Sequence, residues 1–181
     1  VRRHDGRHGH RHFPLPAHDA ARHAGELGRL LADCVRDGAN VNFVMPFTEA
    51  DGEAFWTAKV LPALGTGTLT LLVAHTGSRI VGTVLLDCGT PPNQPHRAEV
   101  AKLLVHPDFR RRGIAKALMA ELEDLAGRLG RSLVTLDTRT GDKAEPLYTA
   151  LGYRTAGVIP DFCRDPFEDR FYPTTIMYKT L

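Results

Sequence analysis

Three arginines and a glycine, Arg110-Arg111-Arg112-Gly113, stand between a run that reads as a strand, Glu99 to Val105, and a run with the apolar spacing of a long helix from Ile114. His106-Pro107 ends the strand, because a proline cannot donate to a sheet ladder. The first turn of a helix offers unpaired N–H groups and the positive end of the helix dipole. A basic, glycine-containing turn at that point is an anion site, best suited to phosphate. Gly113 removes a side chain where an anion must approach the backbone, and the arginines add charge-assisted donors. A basic triplet alone would be a solvated turn; the strand–turn–helix context is what turns it into a binding site.

The elements that position this turn are legible from periodicity. Ala17 to Asp37 carries Leu27, Leu30, Leu31, Cys34 and Val35 at helical spacing, with Gly38 at the expected end. A second helix starts at Thr48, an N-cap with Asp51 three residues on; it carries Phe55, Trp56 and Val60 and closes at Pro62 and Gly65. Leu69–Ala74 and Arg79–Asp87 flank His75-Thr-Gly-Ser78 as a hairpin. Ile114, Ala117, Leu118, Leu122, Leu125 and Leu129 form one apolar stripe, ended by Gly130. A buried strand over Ser132–Asp137, a short helix over Asp142–Leu151 and two strands, Tyr153–Ile159 and Thr174–Thr180, follow. Residues 1–16 are polar, without period, and read as a flexible His/Arg-rich tail ahead of a single domain over 17–181.

Composition narrows the classes. The chain has 181 residues, 43% hydrophobic and 24% charged, which excludes a disordered chain and a disulfide-stapled miniprotein. A formal net charge of +2 gives no argument for nucleic acid, and the helix from Ile114 carries Glu121, Glu123 and Asp124. No apolar run approaches the ~18 residues that span a bilayer. Three widely spaced cysteines, Cys34, Cys88 and Cys163, form no Cys-x-x-Cys pair and fit a reducing cytoplasm. The His-Gly-His-Arg-His run at 8–12 could hold a metal through imidazoles, but Asp5 is the only carboxylate nearby and there is no thiol, so no metal is expected.

The Arg-x-x-Gly-x-Ala run at 110–115, after Leu-Leu-Val at 103–105, resembles the acyl-CoA pyrophosphate loop of the GNAT N-acetyltransferases. Ala144-Glu-Pro-Leu-Tyr148, with Gly152-Tyr153 after it, is similar to the family's late helix. The resemblance covers roughly residues 40–181. His96-Arg-Ala-Glu99, Leu136-Asp137-Thr138, Tyr148 and the closing Pro173–Leu181 resemble in particular the branch of tabtoxin-resistance acetyltransferases, which acetylate an amine of an amino-acid-like β-lactam toxin. One departure is Gly141, where the family often has asparagine; Asp142 or Thr138 could replace the lost polar contact.

The resemblance implies an α/β fold whose mixed central sheet splays between its middle parallel strands, with helices on both faces. The resulting cleft would lie between the strand ending at Val105 and the strand ending at Asp137. Leu103 and Val105 would pair through their backbones with the pantetheine amides of acetyl-CoA, the co-substrate. Arg110, Arg111, Arg112, Gly113, Ala115 and Lys116 would surround the pyrophosphate. Glu99 and Asp137 are candidates for taking a proton from the amine, and Tyr148 for giving one to the leaving thiolate. The N–H of Val105 would hold the oxyanion. Phe43, Phe47, Trp56, Asp161, Phe162 and Tyr172 fall on the family's acceptor side by chain order, although core packing explains most of them equally well.

The expected activity is acetyl transfer from acetyl-CoA to the primary amine of a small molecule, with an amino-acid-like toxin or antibiotic among the candidate acceptors. A protein or peptide N-acetyltransferase and a non-catalytic CoA-binding sensor are the alternatives. GNAT proteins often dimerise, which leaves a homodimer open, but the sequence carries no interface signal.

Overall fold

The computed structural model describes the backbone from residue 11 and the side chains from residue 14, in each case to residue 181. Its strands are β1 (Arg11–Pro14), β2 (Leu69–Thr76), β3 (Arg79–Asp87), β4 (Arg97–Val105), β5 (Leu133–Arg139), β6 (Arg154–Arg164) and β7 (Phe171–Thr180). They form one sheet in the order β1-β2-β3-β4-β5-β7-β6. All neighbours run antiparallel except β4 and β5, which are parallel.

Helices cover both faces, as the resemblance implies. On one side lie α1 (Ala17–Arg22), α2 (Ala24–Arg36), α3 (Glu49–Phe55) and α4 (Leu61–Gly65). Their apolar faces meet Leu71, Val73, Ile80, Leu85 and Leu104 of the sheet. On the other lie α5 (Ile114–Arg128) and α6 (Ala144–Ala150). The stripe on α5 buries Ile114, Leu118, Met119 and Leu122 against Leu72, Val84, Val100 and Val134. Alternating residues of one strand thus feed two separate cores.

Local sequence explains most of the boundaries. Thr48 caps α3 in a reciprocal box: its hydroxyl accepts from the Asp51 N–H at 3.1 Å, and the Asp51 carboxylate accepts from the Thr48 N–H at 2.8 Å. Gly77 and Ser78 close the β2–β3 hairpin in two residues. The helix expected over 17–37 breaks at His23, whose ψ of 11° lies outside the α-helical region. A π turn over Trp56–Val60 separates α3 from α4 and precedes Pro62, whose ring would otherwise press on the carbonyl of Ala58. α2 and α3 cross at Gly28 and Gly52, where a Cβ on Gly52 would stand 2.3 Å from the Gly28 carbonyl oxygen. That close approach fixes the loop between the two helices over one end of the sheet.

The tail reading fails from Arg11 onward. Arg11–Pro14 pairs with Leu72–His75 as an edge strand, and Leu15 continues it with an N–H to the Leu71 carbonyl at 2.8 Å. Pro14 is tolerated because the strand is an outer one. The histidine run at 8–12 lies outside the residues whose side chains are described. Among the described residues no helix is long and apolar enough to cross a membrane. Nor, among them, does any group of three or more His, Cys, Asp or Glu side chains suit a metal ion.

Candidate functional site

The parallel pairing of β4 and β5 lasts three residue pairs: Arg97 with Leu133, Ala98 with Val134 and Glu99 with Thr135. Beyond them the strands part, while β5 stays paired with β7 as far as Arg139. A bulge bends β4 at this point. From Thr83 to Leu85 β3 advances two residues while β4 advances three, from Leu104 back to Ala101. Lys102 absorbs the extra residue at φ 51°, and the Thr83 hydroxyl donates to its carbonyl at 3.0 Å. The gap is a cleft of about 550 Å³.

The β4 wall of the cleft is an unpaired sheet edge. The His106 N–H donates to Val81 across β3, so by strand alternation the backbone groups of Leu103 and Val105 turn toward the cleft. Both residues line it, and an extended amide-bearing ligand could pair with the free N–H of Leu103 or Val105 as an added strand does.

At the end of β4 a short 3-10 turn, Pro107–Phe109, leads into the arginine loop. Arg111 and Gly113 both adopt positive φ, 60° and 78°. Gly113 is the N-cap of α5, and its Cβ direction is open space with nothing within 4 Å. The N–H groups of Ile114, Ala115 and Lys116 begin the helix without intrahelical acceptors. Phosphate oxygens would fit this cradle, formed by main-chain donors over a residue with no side chain.

The arginines divide their work differently from the sequence expectation. Arg110 lines the cleft, but its Nε donates to the Val105 carbonyl at 3.2 Å and its Nη1 is paired with Asp37. Arg112 is outside the cleft lining; its Nη2 donates to the Asp108 carbonyl at 3.0 Å, and its guanidinium lies over the Phe109 ring. Arg111 and Lys116 line the cleft with no ion-pair partner among the described residues, and Gly113 and Ala115 line it as well.

The candidate proton-transfer groups also separate. Asp137, on β5 just past the last β4 pairing, lines the cleft and has no ion-pair partner among the described residues. Tyr148, on α6, lines it too and is only 6% exposed. Burial, followed by the Asp137 and Asp142 carboxylates, pushes its phenol well above the ordinary value. Glu99 is not brought to the cleft. It sits where β4 and β5 still pair, its side chain 53% exposed and held in an ion pair with Arg97. Arg97 and Glu99 are two residues apart on one strand face, which is why they meet.

The acceptor-side aromatics divide along the same lines. Trp56 and Phe47 are buried in the α1–α4 core, with the Trp56 indole N–H donating to the Leu27 carbonyl at 2.9 Å. Phe43 packs against Phe47 and Phe55 at the edge of that core. Phe162 lines the cleft and is exposed, whereas Tyr172 is covered by the Arg139 guanidinium at 3.6 Å, and Asp161 is not among the lining residues. Gly141 has φ 77°, a conformation glycine takes readily, and Asp142 and Thr138 line the cleft beside it. Sequence reasoning missed Lys102, whose signal was a lysine inside an otherwise apolar strand core, Val100–Val105.

The fold is thus a mixed sheet opened between its two parallel strands, with the next helix starting from a glycine at the mouth of the cleft. The model of the acetyltransferase (GNAT) family matches residues 30–153, and the chain belongs to that family. An acetyltransferase of Pectobacterium atrosepticum is 36% identical over 102 residues, 56% of this chain and 68% of that protein. An uncharacterized N-acetyltransferase of Methanocaldococcus jannaschii is 34% identical over 95 residues, 51% of this chain but 42% of its own length. An N-acetyltransferase of Staphylococcus aureus has the same fold, with a TM-score of 0.77 at 14% identity over 95% of this chain and 98% of that one. So does an N-acetyltransferase of Thermoplasma acidophilum in complex with coenzyme A, with a TM-score of 0.70 at 17% identity over 96% and 99% of the two chains.

Proposed function

We propose that this protein transfers the acetyl group of acetyl-CoA directly to the primary amine of a small molecule, as the tabtoxin-resistance branch would. The observation that carries this reading is the opening of β4 from β5 beyond Glu99 and Thr135. It joins the cradle at Gly113–Lys116 to Asp137 and Tyr148 in one cleft. The pyrophosphate would rest on the first N–H groups of α5, with Arg111 and Lys116 adding charge from their side chains. Arg110 would act from beneath the loop, since its donors already hold Val105 and Asp37.

The acceptor must lose a proton before it can attack. A lysine-like amine of pKa ~10.4 is free in about one molecule in a thousand near pH ~7.4, so supplying the free base costs about 4 kcal/mol. Asp137, which lines the cleft, takes that proton in this reading, directly or through water. The amine lone pair then adds to the thioester carbonyl carbon, and the Val105 N–H faces the developing oxyanion. The C–S bond breaks, Tyr148 gives its proton to the departing thiolate, and the second proton, shed by the acylated nitrogen, returns to the Tyr148 phenolate through water while Asp137 releases the first to solvent. The raised pKa of Tyr148 keeps the phenol protonated and available for the thiolate. The products are the N-acetylated amine and free CoA. No covalent intermediate on the protein is required. Three free thiols suit a reducing compartment, and the cytoplasm is the expected location.

Release of free CoA thiol from acetyl-CoA, followed against β-lactam amino acids, free amino acids, polyamines, aminoglycosides and short peptides, tests the reading. Turnover of small amines supports it. Turnover of peptides alone replaces it with protein acetylation. Binding of acetyl-CoA without turnover on any member replaces it with a CoA sensor.

A further inference from the structure

The chemistry above gives no task to Lys102, a charged side chain of the cleft. Lys102 lines the cleft, half-buried, on the bulge of β4. Its Nζ donates to the Val41 carbonyl at 3.0 Å and lies 5.4 and 5.3 Å from the ring centres of Phe43 and Phe55. Among the described residues no carboxylate stands within ion-pair distance of it. An ammonium has three donors, and here one is used. The two rings offer π faces but no anion.

The backbone is strained to put the ammonium there. Lys102 takes φ 51°, a left-handed conformation that an L-residue with a Cβ adopts only under strain. Strain of this kind, held in place by the Thr83 hydroxyl, marks a side chain whose direction matters. Other cations of the cleft have partners or other places. Arg110 is tied to Asp37, and Arg139 is tied to Asp165 at 3.1 Å and stacked on Tyr172. Arg111 and Lys116 belong to the phosphate end, and Lys143 is exposed at the start of α6.

Asp37, Asp137 and Asp142 carry the opposite charge on the same cleft; Asp37 is paired with Arg110, and Asp137 is the one whose charge acts on Lys102. Burial draws the Lys102 pKa down, and the Asp137 carboxylate is the charge that opposes this. The two groups feel one another but are not in contact, and neither has an ion-pair partner among the described residues. A cleft with an unpaired carboxylate and an unpaired ammonium is complementary to a molecule bearing both signs. Its amine would sit beside Asp137 and its anion beside Lys102.

We propose that Lys102 is a specificity residue that binds a carboxylate of the acceptor, so that the preferred acceptors are amines of amino-acid type rather than simple amines or polyamines. This rests on the acetyl-transfer reading, and it adds a group that takes no part in the bond-making steps.

The test compares α-amino acids with their own carboxamides, which lose the carboxylate charge, with each rate referred to the concentration of free amine because the amide's amine is less basic. Initial rates of CoA release should give the acids a kcat/KM about 10- to 100-fold above the amides, the range of one charge-assisted hydrogen bond. Lys102→Met should abolish that advantage by raising KM for the acids, with kcat within about twofold and the amides unchanged. Lys102→Arg should keep most of it. Equal kcat/KM for acids and amides in the native enzyme would overturn the proposal. So would a Lys102→Met variant that loses kcat on both alike, which would make Lys102 part of the proton transfer. If no amine turns over, the transfer reading falls, and calorimetry of the same acids and amides against CoA-saturated protein decides the anion site alone. Acids binding tighter, with the difference lost in Lys102→Met, would sustain it; equal binding would end it. Should Lys102→Met fail to bind acetyl-CoA, the native acid–amide comparison and Lys102→Arg carry the decision.

Discussion

Arg110 reaches back along the chain to Val105: its Nε donates to the Val105 carbonyl at 3.2 Å, while its Nη1 is paired with Asp37 at the end of α2. The arginine nominated by sequence as a phosphate ligand is therefore also a clasp that holds the anion loop onto the last residue of β4. Removing it should damage both roles. Arg110→Ala should weaken acetyl-CoA about tenfold, the value of a lost charge-assisted hydrogen bond, and should lower the melting temperature as well. Arg112, whose guanidinium is spent on the Asp108 carbonyl and the Phe109 ring, should change affinity by less than about twofold when replaced by alanine. Calorimetry with acetyl-CoA on the two single variants separates the residues; equal losses would restore Arg112 as a phosphate ligand.

Gly113 should be the most sensitive position in the loop, for a backbone reason. Its φ of 78° costs any residue with a Cβ about 1–2 kcal/mol, although the Cβ itself would meet nothing within 4 Å. Gly113→Ala should thus leave the fold intact. The substitution forces the cradle either to carry strain or to move, and it puts a methyl group where a phosphate must come close. Acetyl-CoA affinity should drop more than tenfold while circular dichroism stays unchanged. A variant that binds normally would show that the main chain is not the cradle.

Tyr148→Phe removes one oxygen from a buried ring that packs on Tyr153 with ring centres 5.8 Å apart. Acetyl-CoA affinity should hold, and kcat should fall about 10- to 100-fold if the phenol protonates the thiolate. Because burial and two carboxylates raise the phenol pKa above its ordinary 10.0, the native enzyme should show no alkaline loss of kcat from this group below about pH 10. Steady-state kinetics on both proteins across that range read out both expectations; an unchanged kcat would remove Tyr148 from the mechanism.

The parts of the site that were legible in the sequence are those with local signatures. The anion loop announced itself because a glycine, a proline-ended strand and a helical stripe occur in fixed order around Arg110–Ala115. Asp137 and Tyr148 came from resemblance, and the topology places both on the cleft. Lys102 left only the trace of a lysine in an otherwise apolar run, and no local pattern announces its φ of 51°; the bulge exists only because β3 and β4 disagree in register by one residue. Trp56 and Phe47 were ambiguous because a core aromatic and a pocket aromatic look alike in one sequence, and here packing between α2, α3 and the sheet claims them. β1 escaped because an edge strand of four residues carries too short a pattern to be read.

Cys34 links stability to pH. Burial pushes its thiol up from 9.0 to about 12, against the pull of Arg110, while its Sγ donates to the Val105 carbonyl at 3.6 Å. The folded pKa lies above the unfolded one, so the folded state holds the proton more tightly. Its contribution to stability is complete below pH 9 and is lost as pH rises toward 12. Urea unfolding should therefore show a falling midpoint across that interval. In Cys34→Ala the fall should begin later, near the range where Tyr148 and Tyr153 start to matter. Native protein at about pH 8 should also leave Cys34 unalkylated by iodoacetamide, since the thiolate is scarce and buried. Identical pH profiles for the two proteins would show that the thiol ionises as freely folded as unfolded.

Asp137 and Glu99 were indistinguishable as bases in the sequence, and the strand pairing separates them. Glu99 lies at the last β4–β5 pair, bound to Arg97 and half in solvent. Asp137 lies two residues beyond the corresponding pair on β5, where the strands have parted. A general base must reach the amine, and Asp137 lines the cleft whereas Glu99 does not. Asp137→Asn should lower kcat by about 100-fold or more near neutral pH, with recovery as pH approaches the pKa of the amine and solvent supplies the free base. Glu99→Gln should keep kcat within about twofold and cost at most about 1 kcal/mol of stability, as an exposed ion pair does. The shape of the Asp137→Asn profile is the decisive part. A uniform loss at every pH would mean that Asp137 orients the amine rather than taking its proton, and a loss confined to Glu99→Gln would return the base to β4 and require the cleft to open further than it does here.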